Sequence, residues 1–256
     1  MHGAPFLKAT FASLAVVAVG IIGLPILIIL FSTSPSKVYE TLLETEVLNS
    51  LSLTFTCAFI ATLIGMIFGT PLAYILARYQ FPLKSFLQGL VDLPLVIPHP
   101  VAGIALLLGS SSIFGGHWSF IGNWSAIVTA MLFVSFPLFV NPLQEAFHSI
   151  PREMEWTSRT LGIGPWSTFF RVSFPLVRRS LLVGALMMWA RGISEFGAIV
   201  MLTYNPKVTS VLIYDRFTTG GLEEALPVAV VLIWISIIFF VFLRTLQKGR
   251  GVSAGN

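Results

Sequence analysis

Long apolar runs separated by short polar segments dominate the sequence. Six runs reach the length of about 20 residues that an α-helix needs to cross the hydrocarbon core of a bilayer. The pattern therefore predicts an all-α polytopic membrane protein that forms a single domain over residues 1–256. The six predicted transmembrane helices cover residues 11–31, 51–76, 90–108, 125–147, 181–204 and 226–243.

Three prolines interrupt the beginning of the third predicted span. Pro94, Pro98 and Pro100 follow Asp92 within a few residues. Proline removes a helical hydrogen bond, and a spanning helix tolerates it where neighbouring groups satisfy the freed carbonyls. We expect a bent or broken helix at this place.

The composition supports a membrane protein and excludes several other classes. Charged residues make up 10% of the chain, against about 25% in soluble domains, and the mean hydropathy is +0.88. The basic residues form no face interleaved with aromatic side chains, so no nucleic acid partner is predicted. The single cysteine, Cys57, excludes an intrachain disulfide. The run after Lys8 exceeds the usual apolar region of a signal peptide, so we expect a retained first span.

The lysines and arginines are distributed unequally between the two sides of the predicted membrane. Eleven lie on one side and three on the other, while Arg191 lies within the fifth span. An excess of basic residues marks cytoplasmic loops. The bias predicts a cell-membrane protein with both termini and the segment 151–175 in the cytoplasm.

The cytoplasmic segment 151–175 contains several helix-boundary signals. Pro151 suits a first helical turn, and Gly162 can end a helix in a left-handed conformation. Pro165 can begin a second helix. We therefore expect two short helices, over residues 151–161 and 165–172, outside the bilayer. They can either rest on lipid headgroups as an amphipathic pair or dock onto a cytoplasmic protein.

The segment resembles the EAA loop of ABC importer permeases, in which Glu-Ala-Ala, three residues, Gly, nine residues and Ile-x-Leu-Pro follow one another. Nine residues follow Gly162, and residues 172–175 read Val-Ser-Phe-Pro. Thr157 and Ser158 occupy the two alanine positions. The chain departs from the pattern at Trp156, which occupies the glutamate position directly after Glu155.

This resemblance implies a type I ABC importer permease fold with a cytoplasmic coupling helix that docks onto a separate ATPase. The implied partners are a second copy of the permease, two ABC ATPase subunits and an extracytoplasmic oxyanion-binding protein. The sequence contains no G-x-x-x-x-G-K-[ST] phosphate loop, so we expect no enzymatic activity and no cofactor in this chain. ATP and Mg²⁺ are expected on the partner ATPase. The implied coupling residues are Glu155, Trp156, Thr157, Ser158, Gly162, Pro165 and Pro175.

The fifth predicted span contains charged residues. Arg191 and Glu195 are four residues apart, which places them on one face of a continuous helix, with Ser194 between them. A charge within a span is costly and often marks a functional site. These residues form either a buried structural ion pair or part of a translocation path or gate.

Three stretches resemble molybdate and tungstate permeases: WARGISEFGAIVML over 189–202, the following residues 203–229, and DLPLVIPHPVAGIALLL over 92–108. The resemblance implies import of a tetrahedral oxyanion by alternating access, driven by the partner ATPase. Sulfate permeases share the outline of these motifs, so sulfate or another small anion is the alternative cargo. A secondary transporter would need internal repeats and embedded coupling residues, and no convincing repeat is found.

Overall fold

The computed structural model describes residues 3–114 and 122–248. Within these residues the chain is helical and contains no β-strand, which confirms the all-α prediction. A 3₁₀ turn covers Leu93–Leu95 and a π-helical turn covers Phe169–Ser173. The α-helices are α1 (Gly3–Phe31), α2 (Pro35–Leu43), α3 (Thr45–Arg78), α4 (Lys84–Asp92), α5 (His99–Phe114), α6 (Trp124–Ser135), α7 (Pro137–His148), α8 (Arg152–Thr160), α9 (Pro165–Thr168), α10 (Phe174–Ile193), α11 (Gly197–Leu202), α12 (Thr209–Gly220) and α13 (Leu222–Lys248).

The chain divides into two compact units. The first consists of Met1–Asn49 and Leu212–Asn256, and the second of Ser50–Val211. In the first unit α13 packs against α2 and α1, and Arg216 binds the carboxylates of Glu44 and Glu46. The assignment of residues 1–256 to a single domain stays a prediction.

Four helical segments are long and apolar enough to cross a membrane, namely Leu7–Phe31, Thr45–Arg78, Pro165–Ile193 and Leu222–Val241. Two bent helix pairs raise the number to six if each pair forms one span. The pairs are Lys84–Leu95 with His99–Ser112, bent by 118°, and Trp124–Ser135 with Pro137–His148, bent by 43°. All six correspond to predicted spans, and the count of six stays a prediction.

The expected break at the third span is present. Helix α4 ends at Asp92, the 3₁₀ turn follows, and α5 begins at His99 after Pro98. Because proline donates no backbone hydrogen bond and crowds the preceding turn, the chain changes direction here rather than continuing as one helix.

The fifth span differs from the prediction of one helix over 181–204. The helical segment begins earlier, at Pro165, and ends at Ile193, and α11 begins only at Gly197. The Ser194 hydroxyl donates to the carbonyl of Arg191 at 3.0 Å and satisfies an acceptor at the helix end. The Glu195 carboxylate accepts a hydrogen bond of 2.8 Å from the Ala198 N–H in the first turn of the next helix.

The second loop helix continues into the fifth span without an interruption. Helix α9 leads through the π-helical turn directly into α10, and Pro175 lies in the first turn of α10. Proline crowds the carbonyl four residues earlier in a regular helix. The wider π-helical turn before Pro175 accommodates this proline without ending the helix.

The core of the second unit joins α3, α7 and α10. Its largest fully buried side chains include Leu76, Phe139, Phe147 and Met188. Helix α5 packs closely against α11 in the same unit. A Cβ atom added at Gly103 would lie 2.6 Å from the carbonyl oxygen of Ala198. A glycine at position 103 therefore permits the close approach of α5 and α11.

Replacement of Gly103 by alanine should lower the free energy of unfolding by about 1–3 kcal/mol, the usual cost of overpacking. Thermal unfolding of the detergent-solubilised protein measures this effect. The matched control is Gly109→Ala in the same helix, where an added Cβ meets no atom within 4 Å. The control should be neutral or slightly stabilising, because alanine favours a helix more than glycine does. Equal effects of the two substitutions would contradict the proposed close contact.

Candidate functional site

Helix α8 ends at a left-handed glycine, as the sequence predicts. Gly162 has a φ of +81°, and its N–H donates to the carbonyl of Arg159 at 3.0 Å. The N–H of Ile163 donates to the carbonyl of Ser158 at 3.2 Å. This pair of bonds forms a Schellman motif, which satisfies the last carbonyls of the helix. At the other end, Pro151 lies at the N-cap position, one residue before α8.

Helices α8 and α9 contact each other through a buried hydroxyl pair. The Oγ of Ser158 lies 3.1 Å from the Oγ1 of Thr168, and both residues are buried. The small side chain at position 158 therefore packs inside the loop.

Glu155 points into the protein. Its Oε1 lies 2.9 Å from Nη2 of Arg78 at the end of α3 and accepts a hydrogen bond of 2.7 Å from the Ser173 hydroxyl. The side chains of Arg78 and Glu155 are only 6% and 8% exposed. Arg78 also donates to the carbonyl of Ile150 at 3.0 Å. These charge-assisted bonds attach α8 to α3 and to the π-helical turn.

Five large apolar side chains of the loop are exposed. Trp156 is 57% exposed, Leu161 75% and Trp166 77%. We call these three residues, together with Met154 and Phe170, the loop surface. Exposed aromatic and large aliphatic side chains are typical of a protein or membrane contact.

The seven predicted coupling residues therefore separate into two groups. Glu155 and Ser158 are buried and hold the loop together. The exposed group consists of Trp156, Thr157, Gly162, Pro165 and Pro175.

Replacement of Glu155 by glutamine should destabilise the loop, because it leaves the buried Arg78 guanidinium without its carboxylate. Removal of one partner from a buried pair costs about 3–5 kcal/mol. The measurements are thermal unfolding and the rate of tryptic cleavage at the exposed Arg159.

Glu153→Gln on the same helix is the control, since Glu153 is exposed and surface changes have effects within about 0.5 kcal/mol. The double variant R78Q/E155Q, which contains no unpaired charge, should recover much of the loss. A single variant E155Q as stable as E153Q would exclude an anchoring role.

A second polar cluster surrounds the break between α10 and α11. The Nη2 of Arg191 lies 3.0 Å from Oε2 of Glu195, and Nη1 donates to the Ser194 hydroxyl at 3.2 Å. Glu195 is completely buried. The structure thus brings the three predicted residues together. However, Glu195 lies beyond the end of α10, so the expected placement on one continuous helix face is wrong.

His99 completes this cluster. The sequence did not predict that His99 belongs to it. Its ring nitrogens lie 2.9 Å from Nη2 of Arg191, and Nδ1 lies 3.1 Å from Oε2 of Glu195. The available signal was an imidazole between Pro98 and Pro100 in an otherwise apolar run. The sequence separation from Arg191 concealed the contact, because only the packing of α5 against α11 creates it.

The comparison with protein families decides what kind of protein carries these two sites. The profile of the binding-protein-dependent transport system inner membrane component family matches residues 61–250. The chain belongs to this family. As a family member with several apolar helices, it is a multi-pass membrane protein.

Several curated relatives are similar over most of their length. The molybdate/tungstate transport system permease protein WtpB of Pyrococcus furiosus is 41% identical over 97% of this chain and 98% of its own. The protein of the same name from Methanocaldococcus jannaschii is 45% identical over 82% of this chain and 86% of its own. The sulfate transport system permease protein CysT of Escherichia coli is 30% identical over 84% and 82% of the two chains.

A solved structure gives the same fold at low sequence identity. A bacterial ABC transporter involved in the import of the acidic polysaccharide alginate matches with a TM-score of 0.77 and 14% identity, over 96% of both chains. The chain described by its family membership above therefore has an ABC importer permease fold.

Proposed function

We propose that this chain is the transmembrane permease subunit of an ABC importer that moves molybdate or tungstate into the cytoplasm. The observation that carries this proposal is the 41% identity to a molybdate/tungstate permease over nearly the full length of both chains. Sulfate is the alternative cargo, supported by the lower identity of 30% to a sulfate permease.

The proposed complex contains two copies of the permease, two ABC ATPase subunits and an extracytoplasmic oxyanion-binding protein. The family description, which names a binding-protein-dependent transport system, supports the last partner. We assign ATP and Mg²⁺ to the ATPase subunits, and no cofactor to this chain.

The distribution of basic residues supports the orientation. Eleven lysines and arginines lie on the side of the segment 151–175 and three on the other. Both termini and the loop surface then face the cytoplasm, where the ATPase is located.

The loop surface is the proposed contact with the ATPase. Trp156 and Trp166 are large and exposed, and aromatic residues of this kind contribute much of the free energy of protein association. Glu155 lies behind this surface and attaches it to Arg78 in α3. A movement of the ATPase would therefore displace the loop and α3 together.

The same movement can reach the membrane interior along one helical segment. Pro165–Ile193 contains 29 residues, about 43 Å of helix. Its first residue borders the loop surface and its last turn contains Arg191. We propose that this segment couples the ATPase to a translocation path or gate formed by Arg191, Ser194 and Glu195, and so drives alternating access.

Replacement of Gly162 by valine should uncouple ATP hydrolysis from transport. A β-branched residue is strongly disfavoured at a φ of +81°, so the end of α8 and the loop surface would shift. In the reconstituted complex, uptake per ATP hydrolysed should fall severalfold, while the amount of permease in the membrane stays unchanged.

Gly164→Val is the matched control. Gly164 has a φ of −64°, which valine adopts without strain, and an added Cβ meets no atom within 4 Å. Unchanged coupling in G162V would exclude the docking role of the loop.

The cargo is tested with the binding protein and the complete complex in proteoliposomes. The proposed function predicts ATP-dependent uptake of tungstate and molybdate. Sulfate uptake at the same concentration should be at least about tenfold slower. A tenfold preference corresponds to about 1.4 kcal/mol. Preferential uptake of sulfate would favour the alternative.

A further inference from the structure

We infer that His99, Arg191 and Ser194 form a transit site that binds the tetrahedral oxyanion directly during translocation. This inference rests on the proposed function, because it names the residues that contact the cargo. It also assigns a role to His99, which adds a fourth hydrogen-bonding side chain to the predicted path.

The side chains of the cluster differ in their exposure, from the buried Glu195 to the exposed Ser194. The carboxylate of Glu195 is completely buried and lies 3.0 Å from the guanidinium of Arg191. The side chain of Arg191 is 25% exposed and that of His99 39%, and Ser194 is exposed. The acceptor is therefore concealed, and the surface that a ligand meets consists of the guanidinium, the imidazole and the hydroxyl.

The depth of the cluster indicates that this surface faces water. Arg191 follows the cytoplasmic Arg179 by twelve residues, about 18 Å of α-helix, whereas the hydrocarbon core is about 30 Å thick. Exposure of a guanidinium to lipid at this depth would be very costly, and such residues face a bundle interior or a water-filled cavity. The exposed part of Arg191 therefore belongs to a bundle interior or a water-filled cavity, as a transport path requires.

The chemistry of the surface matches a tetrahedral dianion. Arginine has five N–H donors and no acceptor, and a hydroxyl and an imidazole can each donate one hydrogen bond. The oxygens of an oxyanion can accept these bonds from different directions. In the structure the Ser194 hydroxyl donates to the Arg191 carbonyl at 3.0 Å and accepts from Nη1 of Arg191 at 3.2 Å. To bind these two groups, the anion would displace both contacts.

The charge of the cluster explains why binding would be transient. Glu195 balances the charge of Arg191, so the pair carries no net charge. A path must bind its ion well enough for entry and weakly enough for release. A neutralised arginine with two further hydrogen-bonding side chains meets both conditions, whereas an unpaired arginine would retain a dianion more strongly.

The position of the cluster at two helix breaks can link binding to movement. His99 is the first residue of α5 after one break, and Ser194 follows α10 at the other. Interrupted helices frequently form the ion and substrate sites of transporters. A displacement of α10 relative to α5 would separate Arg191 from His99 and change the number of donors available to the anion.

The test uses the complete complex in proteoliposomes, with tungstate uptake and ATP hydrolysis measured together. The variants are H99Q, S194A and the double variant R191Q/E195Q. The double variant leaves no unpaired buried charge and so preserves folding. Each variant should lower uptake. For the double variant we expect about a tenfold decrease, which corresponds to the loss of one charge-assisted hydrogen bond to the anion. The expected result is a lower uptake per ATP hydrolysed, with assembly of the complex retained.

His148→Gln is the matched control, because His148 is exposed at the end of α7 and lies outside the cluster. Uptake by all three variants equal to that of H148Q would overturn the transit site while leaving the proposed function intact. A parallel loss of uptake, ATP hydrolysis and assembly would indicate a structural ion pair and would also overturn it. Absence of tungstate uptake by the wild-type complex would overturn the proposed function itself.

Thiol labelling gives a second, independent measurement in the same complex. Cys57 is 1% exposed, so a cysteine introduced by S194C can be labelled over a low background. A negatively charged methanethiosulfonate should react faster than a positively charged one, and tungstate should slow both reactions. Addition of R191Q/E195Q should abolish the charge preference. Labelling that is indifferent to reagent charge and to tungstate would contradict the transit site.

Discussion

The hydrocarbon core of the bilayer offers no hydrogen-bond partners, and this constraint governs the whole structure. Every backbone N–H and C=O within it must be satisfied by the protein, so the described part of the chain is helical. Departures from regular helix occur where side chains supply the missing partners. At the break after Ile193, the Ser194 hydroxyl donates to a carbonyl and the Glu195 carboxylate accepts from an N–H. Polar and charged side chains, which are rare within membrane spans, thus make this interruption of the span possible.

The same principle operates at the loop that contains α8 and α9. Glu155 and Arg78 are both nearly inaccessible, and such a pair contributes to stability only when its remaining hydrogen-bonding capacity is satisfied. The Ser173 hydroxyl and the Ile150 carbonyl each add one hydrogen bond to the pair. The acidic residue of the loop therefore has an internal partner, and Trp156 occupies the exposed position beside it. This arrangement gives a physical meaning to the difference between this chain and the EAA pattern.

Fold and cargo are separate questions for this chain. The alginate importer has the same fold at 14% identity, although its cargo is a polysaccharide rather than a small anion. The shared part is the arrangement of helices. Within this chain, the donors around Arg191 are the group that we propose for an oxyanion. The similarity to molybdate/tungstate permeases over most of the chain independently supports an oxyanion as the cargo.

The sequence by itself determined the class of protein, the positions of the apolar segments, the break beside Pro98 and the glycine end of α8, because hydropathy, proline and left-handed glycine act locally. It misplaced the fifth span, since the apolar run continues through Ser194 and Glu195 while the backbone does not. It also assigned Glu155 to the coupling residues without indicating an internal partner. Only the tertiary structure turned Glu155 toward Arg78 and brought His99 to Arg191, residues that are 92 positions apart. Those contacts depend on packing between distant helices, which no local pattern encodes.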